Sequence, residues 1–218
     1  MAEQPSRSRV FEQWGIDYCC GGKRVLSDAC VARKVDPDAI LRDLEASDSK
    51  AEPPEVNWTV EPLACLCDHI VLTHHQYLWK NLPRLSALTK KVADRHGAKD
   101  PRLVELHNLF ESFRVEMEGH MDKEERNLFP AICSSHGGPS ADCLQGTILA
   151  MLQEHDSAGA DLARMRLLTD GFTPSPTVCN THRAMLHALN ELEADLHQHV
   201  HKENNILFPR VLADASPA

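Results

Sequence analysis

Two short stretches of the chain carry histidine and glutamate at the same spacing. One reads HMDKEERNLFP from His120 and the other HVHKENNILFP from His199, and six of the eleven positions are identical. Glu124 and Glu203 each follow their histidine by four residues, and the two stretches lie 79 residues apart. Side chains four residues apart on a helix face the same way, so an imidazole and a carboxylate at this spacing can ligate one metal centre.

Both histidine–glutamate pairs continue an apolar stripe. The apolar residues that precede each pair at steps of three and four are Phe110, Phe113 and Met117 in one segment and Leu189, Leu192 and Leu196 in the other. Such a stripe predicts the buried face of a helix. A carboxylate buried without a partner costs much free energy, so two of them beside core histidines indicate a shared cation.

Two further segments each offer a histidine at matching depth. His155 follows Ile148 and Met151 on an apolar stripe. His74 and His75 each fit a stripe in the earlier segment, and periodicity does not choose between them, although spacing favours His75. An inventory of four histidines and two glutamates suits iron, manganese or zinc. With both carboxylates bridging two metals, each metal keeps an open position for dioxygen, peroxide or nitric oxide.

Four long helices must position these side chains. Apolar residues recur at three and four, without convincing alternation, over roughly 61–93, 101–133, 141–169 and 177–213. Glycine and proline stop signals separate these segments. The sequence therefore predicts an all-α protein built on an up-down four-helix bundle. Pro83 should kink the first helix or end its first part.

A small helical N-terminal domain is predicted over 1–48, followed by a polar linker at 49–58 and the bundle at 59–218. Short helices are expected at Val10 to Trp14 and within Val25 to Leu44, with Asp36-Pro37 as the start of the last one.

Two adjacent cysteines lie between the short helices, in the segment DYCCGGK. A disulfide between neighbours such as Cys19 and Cys20 would be strained. The two glycines that follow should let the backbone turn and keep the thiols accessible. Lys23 could lower a thiol pKa. We therefore consider Cys19 and Cys20 a candidate thiol site, with an inert buried turn as the other interpretation.

The composition excludes several classes of protein. With 23 basic and 32 acidic residues the formal net charge is −9, which argues against nucleic-acid binding. No stretch approaches the length of an apolar membrane span, and the N-terminal residues resemble no secretory signal. We therefore expect a cytoplasmic protein whose eight cysteines are reduced.

With DYCCGGK ahead of the two HxxxE stretches, nearly the whole chain resembles the repair-of-iron-centres family, also called the YtfE, ScdA or DnrN family, with NorA-like members. The resemblance implies a ScdA-type N-terminal domain and a hemerythrin-like bundle. It implies two iron ions in an oxo- or hydroxo-bridged, carboxylate-bridged centre, and it selects His75 over His74. The implied ligands are His75, His120, Glu124, His155, His199 and Glu203.

The same resemblance implies a role in defence against nitrosative and oxidative stress. Members of the family are implicated in binding nitric oxide and in donating iron to damaged iron–sulfur clusters, so iron–sulfur proteins become expected partners. Gly159 stands where hemerythrin has a further histidine, which argues against reversible oxygen carriage. The alternative is a non-enzymatic cytoplasmic protein that binds or senses nitric oxide or oxygen. No catalytic residue follows from the sequence, and the N-terminal domain could pair two copies into a homodimer.

Overall fold

Three short helices come first along the chain. The computed structural model describes residues 7–16, 18–19, 24–48, 56–134 and 141–215, without the side chains of 48, 141–143 and 215. The short helices are α1 (Ser8–Gln13), α2 (Leu26–Arg33) and α3 (Pro37–Asp48). Asp36 Oδ1 accepts the backbone N–H of Asp38 at 3.0 Å, so the predicted helix start at Asp36-Pro37 is confirmed.

Four long helical stretches follow in the described chain, at 63–96, 102–133, 141–168 and 180–215. Their successive parts are α4 (Leu63–Ile70), π1 (Val71–His75), α5 (Gln76–His96), α6 (Arg102–Lys123), π2 (Glu124–Leu128), α7 (Phe129–Cys133), α8 (Ala141–Leu168), α9 (Asn180–Lys202), π3 (Glu203–Leu207) and α10 (Phe208–Ala215). The described residues contain no strand, so the predicted all-α class is confirmed. None of these helices combines the length and apolar character that crossing a membrane requires.

Pro83 lies inside α5, which continues unbroken from Gln76 to His96. Of the two predicted outcomes, an end of the helix at this proline is wrong, and a kink stays a prediction. Proline removes one backbone donor, and the helix tolerates that loss here because the remaining turns are held by their own hydrogen bonds and by core packing. Leu82 and Leu85 on either side are both fully buried.

Residues 69–196 form one compact unit. Its apolar core takes buried side chains from all four long stretches, for example Leu78, Phe110, Leu162 and Leu189. In each long stretch the buried apolar residues recur every three or four positions, so every helix turns one apolar face inward. The unit is therefore a four-helix bundle. Cutting back one of these large core side chains to alanine should cost about 2–5 kcal/mol.

Residues 1–68 and 197–218 form the second compact unit. A small core of Val10, Ile16, Cys30 and Ile40 joins the three short helices. Trp14 Nε1 donates to a carboxylate of α3 at 2.8 Å, which ties α1 to α3. The predicted linker 49–58 lies mostly outside the described residues.

Candidate metal centre

Four of the six predicted ligands lie together in the unit formed by residues 69–196, and all four are almost fully buried. His75 Nε2 and His120 Nε2 lie 3.3 Å and 3.4 Å from the same oxygen, Glu124 Oε2. His155 Nε2 lies 3.0 Å from His120 Nε2. Three imidazole nitrogens therefore converge on one carboxylate in the bundle interior.

The outward-facing nitrogens of two of these histidines settle which nitrogen carries the proton. His75 Nδ1 lies 2.9 Å from Glu125 Oε1, and His120 Nδ1 lies 2.8 Å from Glu154 Oε2. A carboxylate only accepts hydrogen bonds, so each Nδ1 carries the proton and donates it. Each Nε2 then presents a lone pair to the interior, which is the form in which histidine binds a metal.

Glu154 is held as a carboxylate by its surroundings. Burial alone would raise the pKa of Glu154, but hydrogen bonds from Lys123 and His120 outweigh burial, and the pKa lies below its ordinary value. Lys123 Nζ makes a short ion pair with Glu154 Oε1. The acceptor of the His120 proton is therefore charged at neutral pH, which strengthens Nε2 as a donor to a metal.

The surroundings of Glu124 fit a cation. Its side chain is fully buried, and among the residues that the structure describes neither carboxylate oxygen has a hydrogen-bond partner. A buried carboxylate in this state is unfavourable by itself. His155 Nε2 and His120 Nε2 lie within hydrogen-bond distance of each other, at 3.0 Å, so a proton or a cation can be shared between the two rings. One or more cations among these atoms would relieve the penalty of the buried carboxylate.

The second repeat places its pair in the same way. His199 Nε2 lies 3.0 Å from Glu203 Oε1, and both side chains are buried. Two groups of four ligand atoms, each group within 4.8 Å, could hold a metal ion. The groups are His75, Glu124, His199 and Glu203, and His120, Glu124, His155 and Glu203. Both carboxylates belong to both groups, and each group has its own pair of histidines.

The neighbouring histidine has a different environment. His74 is buried, and its Nδ1 lies 2.9 Å from Asp195 Oδ1. Its ring also makes an edge contact with the ring of His69. His74 belongs to neither of the groups that could hold a metal, whereas His75 belongs to one of them.

A π-helical turn adjoins three of the ligand positions. The turn π1 ends at His75, π2 begins at Glu124 and π3 begins at Glu203. Each wide turn closes with a bond from the backbone N–H five residues after its first carbonyl, such as Phe129 N–H to Glu124 O. Proline follows each glutamate by six residues and has no N–H to donate to the carbonyl four residues before it, so the α-helical bonding pattern is also broken just after the wide turn. Turns of this type are often found at functional sites.

A pocket of about 350 Å³ between α6 and α8 reaches His120. Phe113, Met117 and Ala158 give it apolar walls, and Glu116, Lys123 and Glu154 are among its polar lining. A small molecule in this pocket would lie beside a buried imidazole. The structure therefore provides a space for a small ligand on one side of the candidate centre.

Comparison with known proteins agrees with these features. The family model described as the Hemerythrin HHE cation binding domain matches residues 68–211, and the Domain of Unknown function (DUF542), named ScdA_N, matches residues 1–48. The iron-sulfur cluster repair protein YtfE of Citrobacter koseri is 36% identical and that of Escherichia coli O81 is 37% identical, over 209 residues covering 96% of this chain and 92% of each relative. The chain belongs to the YtfE family of iron–sulfur cluster repair proteins.

The family resemblance predicted from the motifs is thus confirmed. The cation-binding match spans every residue of both candidate metal groups, from His75 to Glu203. Membership of the YtfE family also accounts for the short helices before the bundle, because the ScdA_N match covers them.

The structure places Cys19 differently from the sequence expectation. The Cys19 side chain is buried, so the expectation of an accessible thiol at this position is wrong. Neighbouring groups also hold this segment: Asn205 Nδ2 donates to the Cys19 carbonyl at 3.4 Å, and Tyr18 contacts the rings of His197 and His201. Cys20 and the glycines after it lie outside the described residues.

Sequence reasoning missed two side chains that support the ligands. Glu125 accepts from His75, and Trp79 Nε1 donates to the same oxygen of Glu125 at 3.2 Å. Neither residue lies on an apolar stripe, and surface glutamates and tryptophans carry no metal signal of their own. The available signal was the second glutamate of HMDKEERNLFP, which is absent from the other repeat.

Proposed function

We propose that this protein holds two iron ions, binds nitric oxide or a similar diatomic molecule at them, and donates iron for the repair of damaged iron–sulfur clusters. The proposed ligands are His75, His120, Glu124, His155, His199 and Glu203. The two candidate groups share both glutamates and divide the histidines equally. Relatives of nearly the same length are named as iron-sulfur cluster repair proteins, which supports the biological role.

The observation that carries the proposal is the state of Glu124. It is fully buried, it has no hydrogen-bond partner among the described residues, and two histidine Nε2 atoms approach one of its oxygens. Nitrogen and carboxylate donors together favour iron, manganese or zinc over calcium or magnesium. The imidazole-rich donor set differs from the carboxylate-rich set of ferritin-like di-iron proteins.

Each side chain has a defined task in this proposal. Iron bound here would supply open coordination positions and electrons for a small ligand. His75 and His120 present Nε2 because Glu125 and Glu154 fix their protons on Nδ1. Glu124 has two oxygens and can hold an ion by one or by both. The strength of that hold can therefore change without unfolding of the bundle, as a donor of iron requires.

The pocket beside His120 supports a small neutral ligand. Part of its lining is apolar, and a diatomic molecule needs no hydrogen-bond partners there. This same feature favours a narrower second candidate, in which the protein only binds or senses nitric oxide or oxygen. Reduction of nitric oxide at the site would extend the first candidate.

Metal content and nitric oxide spectra test the proposal together. We expect about two irons per chain in protein from iron-replete cells, and a new optical band when the reduced protein meets nitric oxide. Glu124→Leu and Glu203→Leu should each lose the metal pair, while Glu191→Leu, at an exposed position, should keep it. Less than one iron per chain, or two irons in both core variants, would refute the di-iron assignment.

Repair is tested on a separate substrate. An enzyme whose [4Fe–4S] cluster has been damaged by nitric oxide is incubated with the iron-loaded protein, and recovery of its activity is followed. Wild type and Glu191→Leu should restore activity, and Glu124→Leu should not. Normal iron content and nitric oxide binding without any repair would exclude the donor role and leave the binding or sensing candidate.

A further inference from the structure

The two histidines that approach Glu124 each donate from Nδ1 to a carboxylate, and these two carboxylates have different second partners. Behind His120, the accepting carboxylate of Glu154 is paired with the ammonium group of Lys123. Behind His75, the accepting carboxylate of Glu125 instead receives the neutral indole N–H of Trp79 at 3.2 Å. The two histidines therefore have matching hydrogen bonds but differently charged second partners.

Trp79 and His75 share a single acceptor atom. Both the indole N–H and the His75 Nδ1–H donate to Glu125 Oε1, at 3.2 Å and 2.9 Å. His75 is fully buried, Glu125 is about one-third exposed and the Trp79 side chain is 41% exposed. The indole therefore links the protein surface to a buried ligand through one oxygen.

Hydrogen bonds at a shared acceptor compete for the same electron density. A second donor on Glu125 Oε1 weakens the pull of this oxygen on the His75 proton, and it also holds the carboxylate in place. A charged second donor withdraws more electron density than a neutral one. The Nε2 of His75 should therefore be a stronger electron donor than the Nε2 of His120.

We propose that Trp79 is a positioning residue that sets the donor strength of His75 through Glu125 and so makes the two metal positions electronically unequal. The inference rests on the proposed ligand role of His75. In consequence, an ion bound through His75 should be easier to oxidise than one bound through His120.

Two substitutions of Trp79 should act in opposite directions. Trp79→Phe keeps an aromatic ring but removes the N–H, so His75 becomes a stronger donor. We expect the one-electron equilibrium of the bound iron to shift about threefold toward the oxidised form. At 59 mV per tenfold, the reduction potential is then ~30 mV lower. Trp79→Lys copies the Lys123–Glu154 arrangement and should shift the equilibrium about tenfold toward the reduced form. The reduction potential is then ~60 mV higher. A merely structural role would not reverse sign between the variants.

Trp14→Phe is the matched control, because Trp14 Nε1 also donates to a carboxylate, that of Asp43, in the other compact unit. It should leave the reduction potential of the iron-loaded protein unchanged. Equal potentials in wild type and both Trp79 variants, or an equal shift in Trp14→Phe, would overturn the inference.

A second readout separates this inference from the proposed function. In the metal-free protein, proton NMR of the His75 Nδ1–H reports its hydrogen bond to Glu125 directly. The resonance should move downfield in Trp79→Phe and upfield in Trp79→Lys. An unchanged resonance in both variants overturns the inference whether or not the protein binds metal. If the resonance moves as expected in the variants but the wild-type protein binds no iron, the proposed function alone is refuted.

Discussion

Replacing Glu124 should stabilise the metal-free protein while removing its ability to bind metal. The Glu124 side chain is fully buried, and its closest imidazole nitrogens lie 3.3 Å and 3.4 Å away without a hydrogen bond in the described residues. Replacing a poorly compensated buried charge by an apolar side chain of similar volume stabilises proteins by about 1–4 kcal/mol. We expect about 2–3 kcal/mol for Glu124→Leu and about 1 kcal/mol for Glu124→Gln, which keeps the shape.

Thermal unfolding with and without iron measures both effects. For a chain of this size 1 kcal/mol corresponds to about 2–4 °C, so metal-free Glu124→Leu should unfold about 5–10 °C above wild type. A ligand at a thousandfold excess over its Kd stabilises by about 4 kcal/mol. Iron should therefore raise the Tm of wild type above that of the variant, and the order of the two proteins should reverse.

The matched control is Glu191→Leu, at an exposed position on α9. It should change stability by less than about 0.5 kcal/mol in either condition. Two metal-free Glu124 variants that are both less stable than wild type would show that the carboxylate is well compensated without metal. That result would refute the reasoning from its missing hydrogen bonds.

Three further predictions concern residues outside the metal groups. His74→Ala should contain as much metal as wild type. Its free energy of unfolding, measured in urea, should be about 1–3 kcal/mol lower, because the hydrogen bond between His74 and Asp195 is lost. Arg166→Met should cost about 3 kcal/mol in the same assay because it leaves the buried carboxylate of Glu193 without its guanidinium. Burial lowers the pKa of His182 below its ordinary value of 6.5. The unfolded chain then binds more protons, so stability should fall as the pH drops below about 6.5, and His182→Asn should flatten that decline in urea titrations at several pH values.

Helix positions and buried ligand faces could be predicted because both depend on a repeating pattern. The stripe through Phe110, Met117 and His120 steps by three or four residues, and all three residues are buried. Burial of Glu124 followed from the same stripe. A pattern of this kind averages over many residues, so single exceptions such as Pro83 do not erase it.

The choice between His74 and His75 could not be predicted from periodicity because both side chains are buried. Both Nδ1 atoms meet a carboxylate, that of Asp195 for His74 and that of Glu125 for His75, and His75 also brings its Nε2 to Glu124, at 3.3 Å. These partners lie 121 and 50 residues away along the chain, so only the folded arrangement brings them together. The resemblance to a family supplied what the local sequence did not contain.

The π-helical turns also escaped prediction. An α-helix and a π-helix differ by one residue per turn, and a single wide turn changes the apolar periodicity by too little to detect. The proline six residues after Glu124, repeated after Glu203, was a usable signal. It indicated that the α-helical hydrogen-bond pattern breaks at the same point in both repeats.

The wide turn π2 changes which side chains of the following helix face the interior. One extra residue between Glu124 and Phe129 rotates everything downstream by about 100° relative to an uninterrupted α-helix. Leu128 and Phe129, at the end of this turn, are both buried. Deleting Asn127 would restore regular α-helical spacing and leave His120 and Glu124 in register with each other. It would also turn the helix after Glu124 away from the interior. The number of residues between Glu124 and Phe129 therefore matters as much as the identity of the ligands.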